Sequence, residues 1–451
     1  MFIDFLLEAF HQHPEKEAII WQDEAYTYRQ LLNQIYEWQA VIAARRVPPG
    51  AVVMLEGSYS PRTVALFLAL IEQGCIVVPI ASQAAALKPK LQQISQAEMS
   101  FAFDQDEAVH VETVPVTAVH PLYDQLWEAG HPGLVLFSSG STGECKGIVH
   151  DLMPMLEKYK SPGKRFRTIA FMLYDHIGGV NTMLYTLVNT GCMVVVAERS
   201  PDCVLQAIEK YRVDLLPTSP TFLNLLLLSE AYKKYDLSSL RLITYGTEPM
   251  PASTLQRMHA LFPDISLRQT YGLSEVGILR SKSRDSDSLW VKVGGENFQT
   301  RVVDGILQIK AKSAMLGYLN APAPFTEDGW FVTGDRVEVQ GEYLRILGRD
   351  SEIVNVGGEK VFPIEVESVI QEMDNVQEVT VYGEKNSITG NIVCAKVRLN
   401  VNGDFEPRQF ITALKRHCQE RLQSYKVPVK VIISDETQYS ARLKKKRKVL
   451  L

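Results

Sequence analysis

Leu134-Val135-Leu136-Phe137-Ser138-Ser139-Gly140-Ser141-Thr142-Gly143-Glu144-Cys145-Lys146-Gly147 joins two unlike pieces of chain. Leu134 to Phe137 is apolar and reads as a buried strand. Ser138 to Gly147 is a loop of small residues. Its three glycines let backbone N–H groups approach oxygens closely, its four hydroxyls donate hydrogen bonds, and Lys146 brings a positive charge. Together these make a cradle for phosphate. The Walker pattern is absent, because Gly140 is followed five positions later by Cys145. A flexible surface loop is the plainer alternative. The strand before it and the lysine at its end favour the cradle.

The surrounding chain repeats a strand–helix–strand rhythm. Thr27 reads as an N-cap for a helix carrying Tyr28, Leu31, Ile35, Trp38 and Ile42 at helical spacing. Ala51 to Leu55 and Ile76 to Ile80 read as strands, with Pro61 and Gly74 marking the start and end of a helix between them. Beyond the loop, Asn181 to Asn189 and Pro220 to Glu230 read as helices, and Met193 to Ala197 and Leu240 to Tyr245 as strands. This rhythm indicates α/β architecture with parallel sheets.

From Ser288 the pattern becomes short alternating stretches split by Gly or Asp-Gly, an antiparallel β region. After Asp350 it changes again. Helices at Pro363 to Met373 and Pro407 to Leu422 alternate with strands at Glu378 to Tyr382, Ile392 to Leu399 and Val429 to Ile433. That is a separate α+β unit of about one hundred residues, within the range usual for a domain.

The whole chain has 451 residues with a formal net charge of −5. Its length suggests two to four domains of roughly 100–200 residues each. The acidic balance argues against a dedicated nucleic-acid binder, which needs cationic surplus for the phosphate backbone. No apolar run approaches the ~20 residues of a membrane span. The N-terminus lacks a basic n-region. The six cysteines form no CxxC pair and no zinc spacing, so they read as free thiols in a reducing compartment. A cytoplasmic enzyme is the expected class.

Five motifs in order resemble those of the adenylate-forming superfamily, which includes acyl-CoA synthetases, stand-alone adenylation domains and luciferases. The first is the loop, with Cys145 where proline is usual. Thr270-Tyr271-Gly272-Leu273-Ser274-Glu275 is similar to the Tyr-Gly-x-Thr-Glu motif. The resemblance implies that Tyr271 packs on adenine, Ser274 touches phosphate and Glu275 binds magnesium. Gly329 to Asp335 resembles Trp-x-x-Thr-Gly-Asp, which implies that Asp335 accepts both ribose hydroxyls. Gly348 to Ile353 resembles the hinge motif, with Arg349 reaching ribose or phosphate and Ser351 in place of the usual Asp or Lys. At the C-terminus, Lys444 and Arg447 have the spacing of a catalytic lysine motif, with Leu443 where glycine is expected. The alternative there is a solvated basic tail or a weak anchor for anionic partners.

The resemblance also implies that Gly246, Thr247, Glu248 and Pro249 line the adenine and acyl sites and that His176 lies by the substrate carboxylate. Asp175 raises an amine-holding alternative. The resemblance thus implies a large N-terminal domain (1–348) of parallel-sheet layers with a β-barrel-like subdomain, a hinge at 349–352, and a small mobile α+β C-terminal domain (353–451). It implies an acid–thiol ligase using ATP, Mg2+ and coenzyme A on a small carboxylic acid. The alternative acceptor is the phosphopantetheine arm of an acyl or peptidyl carrier protein. A rival of another class is a non-catalytic or nucleic-acid-binding protein using its basic C-terminus.

Overall fold

Strands Val52–Gly57 and Ile76–Ala81 bury side chains on both faces, the mark of a parallel strand covered from two sides. They pair in parallel with each other, and they extend in parallel to Met99–Phe103 on one side and Gly133–Ser139 on the other. A computed structural model provides this description and covers residues 1–139, 144–295, 297–400, 406–440 and 442–446. Antiparallel strands Val109–Thr113, Cys145–Asp151 and Gly317–Tyr318 complete this seven-stranded sheet.

A second seven-stranded sheet runs in the order Ser266–Gln269, Leu242–Tyr245, Leu215–Thr218, Arg167–Ile169, Cys192–Val194, Glu17–Trp21 and Glu24–Thr27. All but the last are parallel to their neighbours. Helices Tyr28–Ala44, Pro61–Glu72 and Ile177–Val188 share one buried cluster with residues of both sheets, including Ile19 and Met193 on one side and Val53, Val77 and Leu136 on the other. Thr27 caps the first of these helices through a reciprocal box with Gln30. Ser60 caps the second, with Pro61 in its first turn.

The antiparallel region is a six-stranded sheet ordered Ser281–Ser283, Trp290–Val293, Tyr343–Arg349, Phe331–Gln340, Ile306–Ala311 and Phe298–Val303. The last sheet pairs Gly390–Leu399 with Val376–Asn386, Val354–Val356 and Lys430–Ile433. Helices Pro363–Ile370 and Pro407–Gln419 pack their buried Val366, Ile370, Phe410 and Leu414 into its core.

After the glycine-rich loop, Cys145–Asp151 runs antiparallel to Gly133–Ser139. The helix expected from Asn181 begins instead at Ile177. His176 caps it, and a Cβ on Gly179 would lie 1.9 Å from the Leu173 carbonyl oxygen, so only glycine fits there. The two glycines therefore serve a tight entry and do not break the helix.

Candidate active site

Asp335 sits in the long strand Phe331–Gln340, directly across from Arg349 in register. One carboxylate oxygen meets Arg349 Nε at 2.9 Å, and the other accepts from the Tyr271 hydroxyl at 2.6 Å. Arg349 also donates to the Thr333 carbonyl at 2.6 Å, and the Thr333 hydroxyl accepts from the Asp335 amide at 3.0 Å. Burial pushes the Asp335 carboxyl above the usual carboxylate range, while Arg349 and Tyr271 pull it back. Each oxygen has one protein partner and a second lone pair, which suits a vicinal diol. Tyr271 itself is buried in the cluster of the antiparallel sheet.

The anion end is built around the paired strands Gly133–Ser139 and Cys145–Asp151. Lys146 stands opposite Ser138 in register. Its ammonium lies 4.9 Å from the centroid of the Tyr318 ring, a cation–π contact. Tyr318 donates its hydroxyl to Glu275 at 2.8 Å. The loop lysine and the magnesium candidate are thus linked through one tyrosine that the sequence did not single out. Ser274 is held from behind, its carbonyl 2.6 Å from Nε2 of buried His150, whose ring burial pushes down to about 4. Gly140, Ser141, Thr142 and Gly143 of the cradle, and Arg447 of the tail, lie outside the described residues.

Gly246 to Pro249 follow the strand Leu242–Tyr245. Thr270 closes on this turn, its hydroxyl donating to the Tyr245 carbonyl at 3.1 Å. A Cβ on Gly246 would meet Thr270 at 2.6 Å, so the approach requires glycine. A Cβ on Gly272 would likewise meet Ile278 at 2.6 Å. Thr247 has φ +75°, and its buried hydroxyl has no hydrogen-bond partner in the protein. The Glu248 carboxylate accepts from the Thr221 amide and from the Lys445 amide at 3.0 Å.

The third cluster surrounds Lys444. Its ammonium is 3.4 Å from Nε2 of His176, whose Nδ1 accepts from the Gly178 amide at 3.0 Å. That bond assigns the neutral ring's proton to Nε2. Burial, helped by Lys444 and Arg442, holds His176 well below its usual range, so the ring is neutral. Burial also pushes Lys444 down to about 8, with Glu248 and Glu275 opposing and Arg442 and Arg349 adding to the fall. Two donors, the ammonium and the imidazole N–H, are thus side by side, a pairing that suits an anion. Beside them Arg442 pairs with buried Asp175 at 2.9 Å. The other Asp175 oxygen is buried without a hydrogen-bond partner.

Among the predicted residues, the structure brings Tyr271, Asp335 and Arg349 into direct contact. It brings Lys444 to His176, and within electrostatic range of Glu248, Glu275 and Arg349. Sequence reading missed Tyr318 and Arg442. Arg442 was absorbed into a basic run, and Tyr318 carries no local signal. For a nucleotide, the unpartnered Thr247 hydroxyl and the spare Asp335 lone pairs are fitting acceptors and donors. For magnesium, Glu275 supplies one carboxylate, and this ion characteristically takes one or two plus substrate phosphates.

Known proteins resemble this chain along most of its length. Residues 6–305 match the family model of AMP-binding enzymes, and residues 365–444 match that of the AMP-binding enzyme C-terminal domain. A methyl-dioxo-octahydro-indenyl propanoyl:CoA ligase of Mycobacterium tuberculosis is 27% identical, over 94% of this chain and 93% of its own. A 2-succinylbenzoate–CoA ligase of Bacillus pumilus is 26% identical over 98% and 96%. The crystal structure of an anthranilate CoA ligase with anthranoyl-AMP superposes with TM-score 0.81 at 20% identity, covering 98% of this chain and 95% of the other. No helix among the described residues is long and apolar enough to cross a membrane.

Proposed function

This chain belongs to the AMP-binding enzyme family, and on that premise we propose that it is an ATP-dependent acid–CoA ligase acting on a small carboxylic acid. The observation that carries the reading is the convergence on one site of residues from distant segments. Lys444 from the tail reaches His176 of the N-terminal body at 3.4 Å, within electrostatic range of Glu275 and Arg349. The CoA acceptor is supported by relatives over 90% of the chain that are themselves CoA ligases.

In this reading the acid's carboxylate lies beside His176 and Lys444 and attacks the α-phosphorus of ATP. Pyrophosphate leaves and an acyl-adenylate remains. Negative charge grows on the α-phosphate oxygens, and the Lys444 ammonium stabilises it. Asp335 holds the ribose diol, with Arg349 and Tyr271 fixing the carboxylate's orientation. Thr247 and Pro249 border the base. Lys146 and the hydroxyls of the loop receive the outer phosphates. Glu275 would hold a magnesium ion, which would supply charge neutralisation for the outer phosphates. The thiol of CoA then attacks the acyl carbonyl and AMP departs.

Residues 1–348 form the body in this proposal, 349–352 the hinge and 353–451 the lid. The hinge is supported by the short turn Asp350–Glu352, which separates the strand ending at Arg349 from the first strand of the last sheet. Turning there withdraws Lys444 before the thiol arrives.

A screen of fatty, aryl and amino acids for ATP–pyrophosphate exchange tests the reading. Exchange dependent on one acid class is expected, followed by acyl transfer to CoA. No exchange with any acid would contradict acid activation. Transfer only to phosphopantetheinylated carrier proteins would contradict CoA as the acceptor.

A further inference from the structure

Gln438 to Ser440 and Arg442 to Lys446 pair with each other as the arms of a narrow hairpin. Lys446 N donates to the Gln438 carbonyl at 2.8 Å, Ser440 N to the Lys444 carbonyl at 2.8 Å, and Leu443 N to the Ser440 carbonyl at 2.9 Å. The hairpin is fastened to the C-terminal unit by Gln438 N on Glu378 (2.7 Å) and by the Lys445 ammonium on Glu367 (2.9 Å), which is fully buried. It is fastened equally to the N-terminal body. There Ser219 donates to the Leu443 carbonyl at 2.8 Å, Glu248 receives the Lys445 amide, and Asp175 receives Arg442.

Leu443 lies at the centre of these ties. Its φ is +52°, in the left-handed region where a leucine is uncommon and glycine is favoured. Its side chain is only 9% exposed and joins a buried apolar cluster of the body that contains Phe222, Leu223, Tyr245 and Leu267. A solvated run of charge has no reason to hold an apolar side chain in a strained backbone. Such strain persists only where the surroundings over-determine it. Here the apolar cluster does so, and the residue it secures is the immediate neighbour of Lys444.

We propose that Leu443 is a positioning residue: seated in the body's apolar cluster, it docks the tail so that Lys444 faces His176, and it must leave that seat before the thiol step. The partition between the two half-reactions is therefore set partly by an aliphatic side chain next to the lysine. This inference rests on the acid–CoA ligase reading for its consequence in catalysis, but the docking itself does not.

Hydrogen exchange tests the docking in the full chain without ligands. In Leu443→Ala, amides of 438–446 should exchange about tenfold faster or more, the shift expected from losing a buried aliphatic anchor. The amides of strand Gly390–Leu399 should keep wild-type protection, which shows the C-terminal unit still folded. Leu443→Met should restore near wild-type exchange. Leu443→Gly should fall between, because glycine adopts the left-handed backbone without strain. With an acid that supports exchange, Leu443→Ala should lower ATP–pyrophosphate exchange about tenfold. Transfer from supplied acyl-adenylate to CoA should stay unchanged or rise. Wild-type exchange rates in the Leu443→Ala hairpin, or equal losses in both half-reactions, would overturn the proposal. If no acid supports pyrophosphate exchange in the wild type, the ligase reading fails while the hydrogen-exchange series still decides the docking.

Discussion

The ribose end and the lysine end of the site are built differently. Asp335, Thr333 and Arg349 lie on two paired strands, and both Asp335 oxygens have protein partners. The Lys444 end is assembled from three remote segments, around residues 175, 219 to 248, and 442 to 445. It holds a left-handed leucine, a buried carboxylate oxygen without a partner, and an ammonium that burial pushes to about 8. The first is a preformed cradle on rigid strands. The second is strained and incompletely paired, the condition expected of a part that must detach. In the proposed reading, the paired strands bind the nucleotide and the tail does the switching.

The comparison breaks most visibly at Lys444. Lys444→Ala should lower acyl-adenylate formation by about 10²–10³, the usual loss for one positioned donor, and leave thiolation of supplied acyl-adenylate nearly intact. Lys446 is exposed, so Lys446→Ala should leave both steps unchanged in the same single-turnover assays. Equal loss in both steps for Lys444→Ala would show that the lysine does not withdraw.

Asp335→Ala probes the rigid half. Removing a charged partner of hydrogen bonds costs roughly 1.5–3 kcal/mol, so the Michaelis constant for ATP should rise about ten- to a hundredfold with little change for the acid. An unchanged constant would reduce Asp335 to a partner of Arg349 and Tyr271.

The next effect is on pH. Lys444 is charged below its folded value of about 8, so adenylation should fall above that pH, by about tenfold per unit at the limit. Thiolation measured separately should not follow this limb. If both steps fall together, the titrating group belongs to the whole site and not to the tail.

The smallest effect is expected at Glu275. Glu275→Gln keeps the shape and the bond from Tyr318 but removes charge that a hard cation needs. The magnesium concentration for half-maximal adenylation should rise several-fold. An unaltered requirement would place the metal elsewhere.

The same contrast explains what the sequence made legible. Tyr271, Asp335 and Arg349 stand in short local patterns, because a phosphate loop or a paired strand needs particular residue types close together. The alternation of apolar strands and capped helices likewise announced parallel sheets, since periodicity is a local property. The ties of the tail are not local. Ser219 and Leu443 are 224 residues apart, and Arg442 and Asp175 are 267 apart. A basic run therefore concealed an ion pair and an apolar anchor. Leu443 in place of glycine was visible, but its meaning required the buried cluster that receives it. The ties of Glu248 to Thr221 and Lys445 are likewise remote in sequence.

Attack of a carboxylate on the α-phosphorus is the central chemical claim, and an oxygen-18 label follows it directly. The acid selected by pyrophosphate exchange is prepared with both carboxylate oxygens labelled and turned over with ATP, magnesium and CoA. The account predicts AMP carrying one labelled oxygen and pyrophosphate carrying none. Unlabelled AMP, with the label appearing in pyrophosphate or orthophosphate, would contradict it.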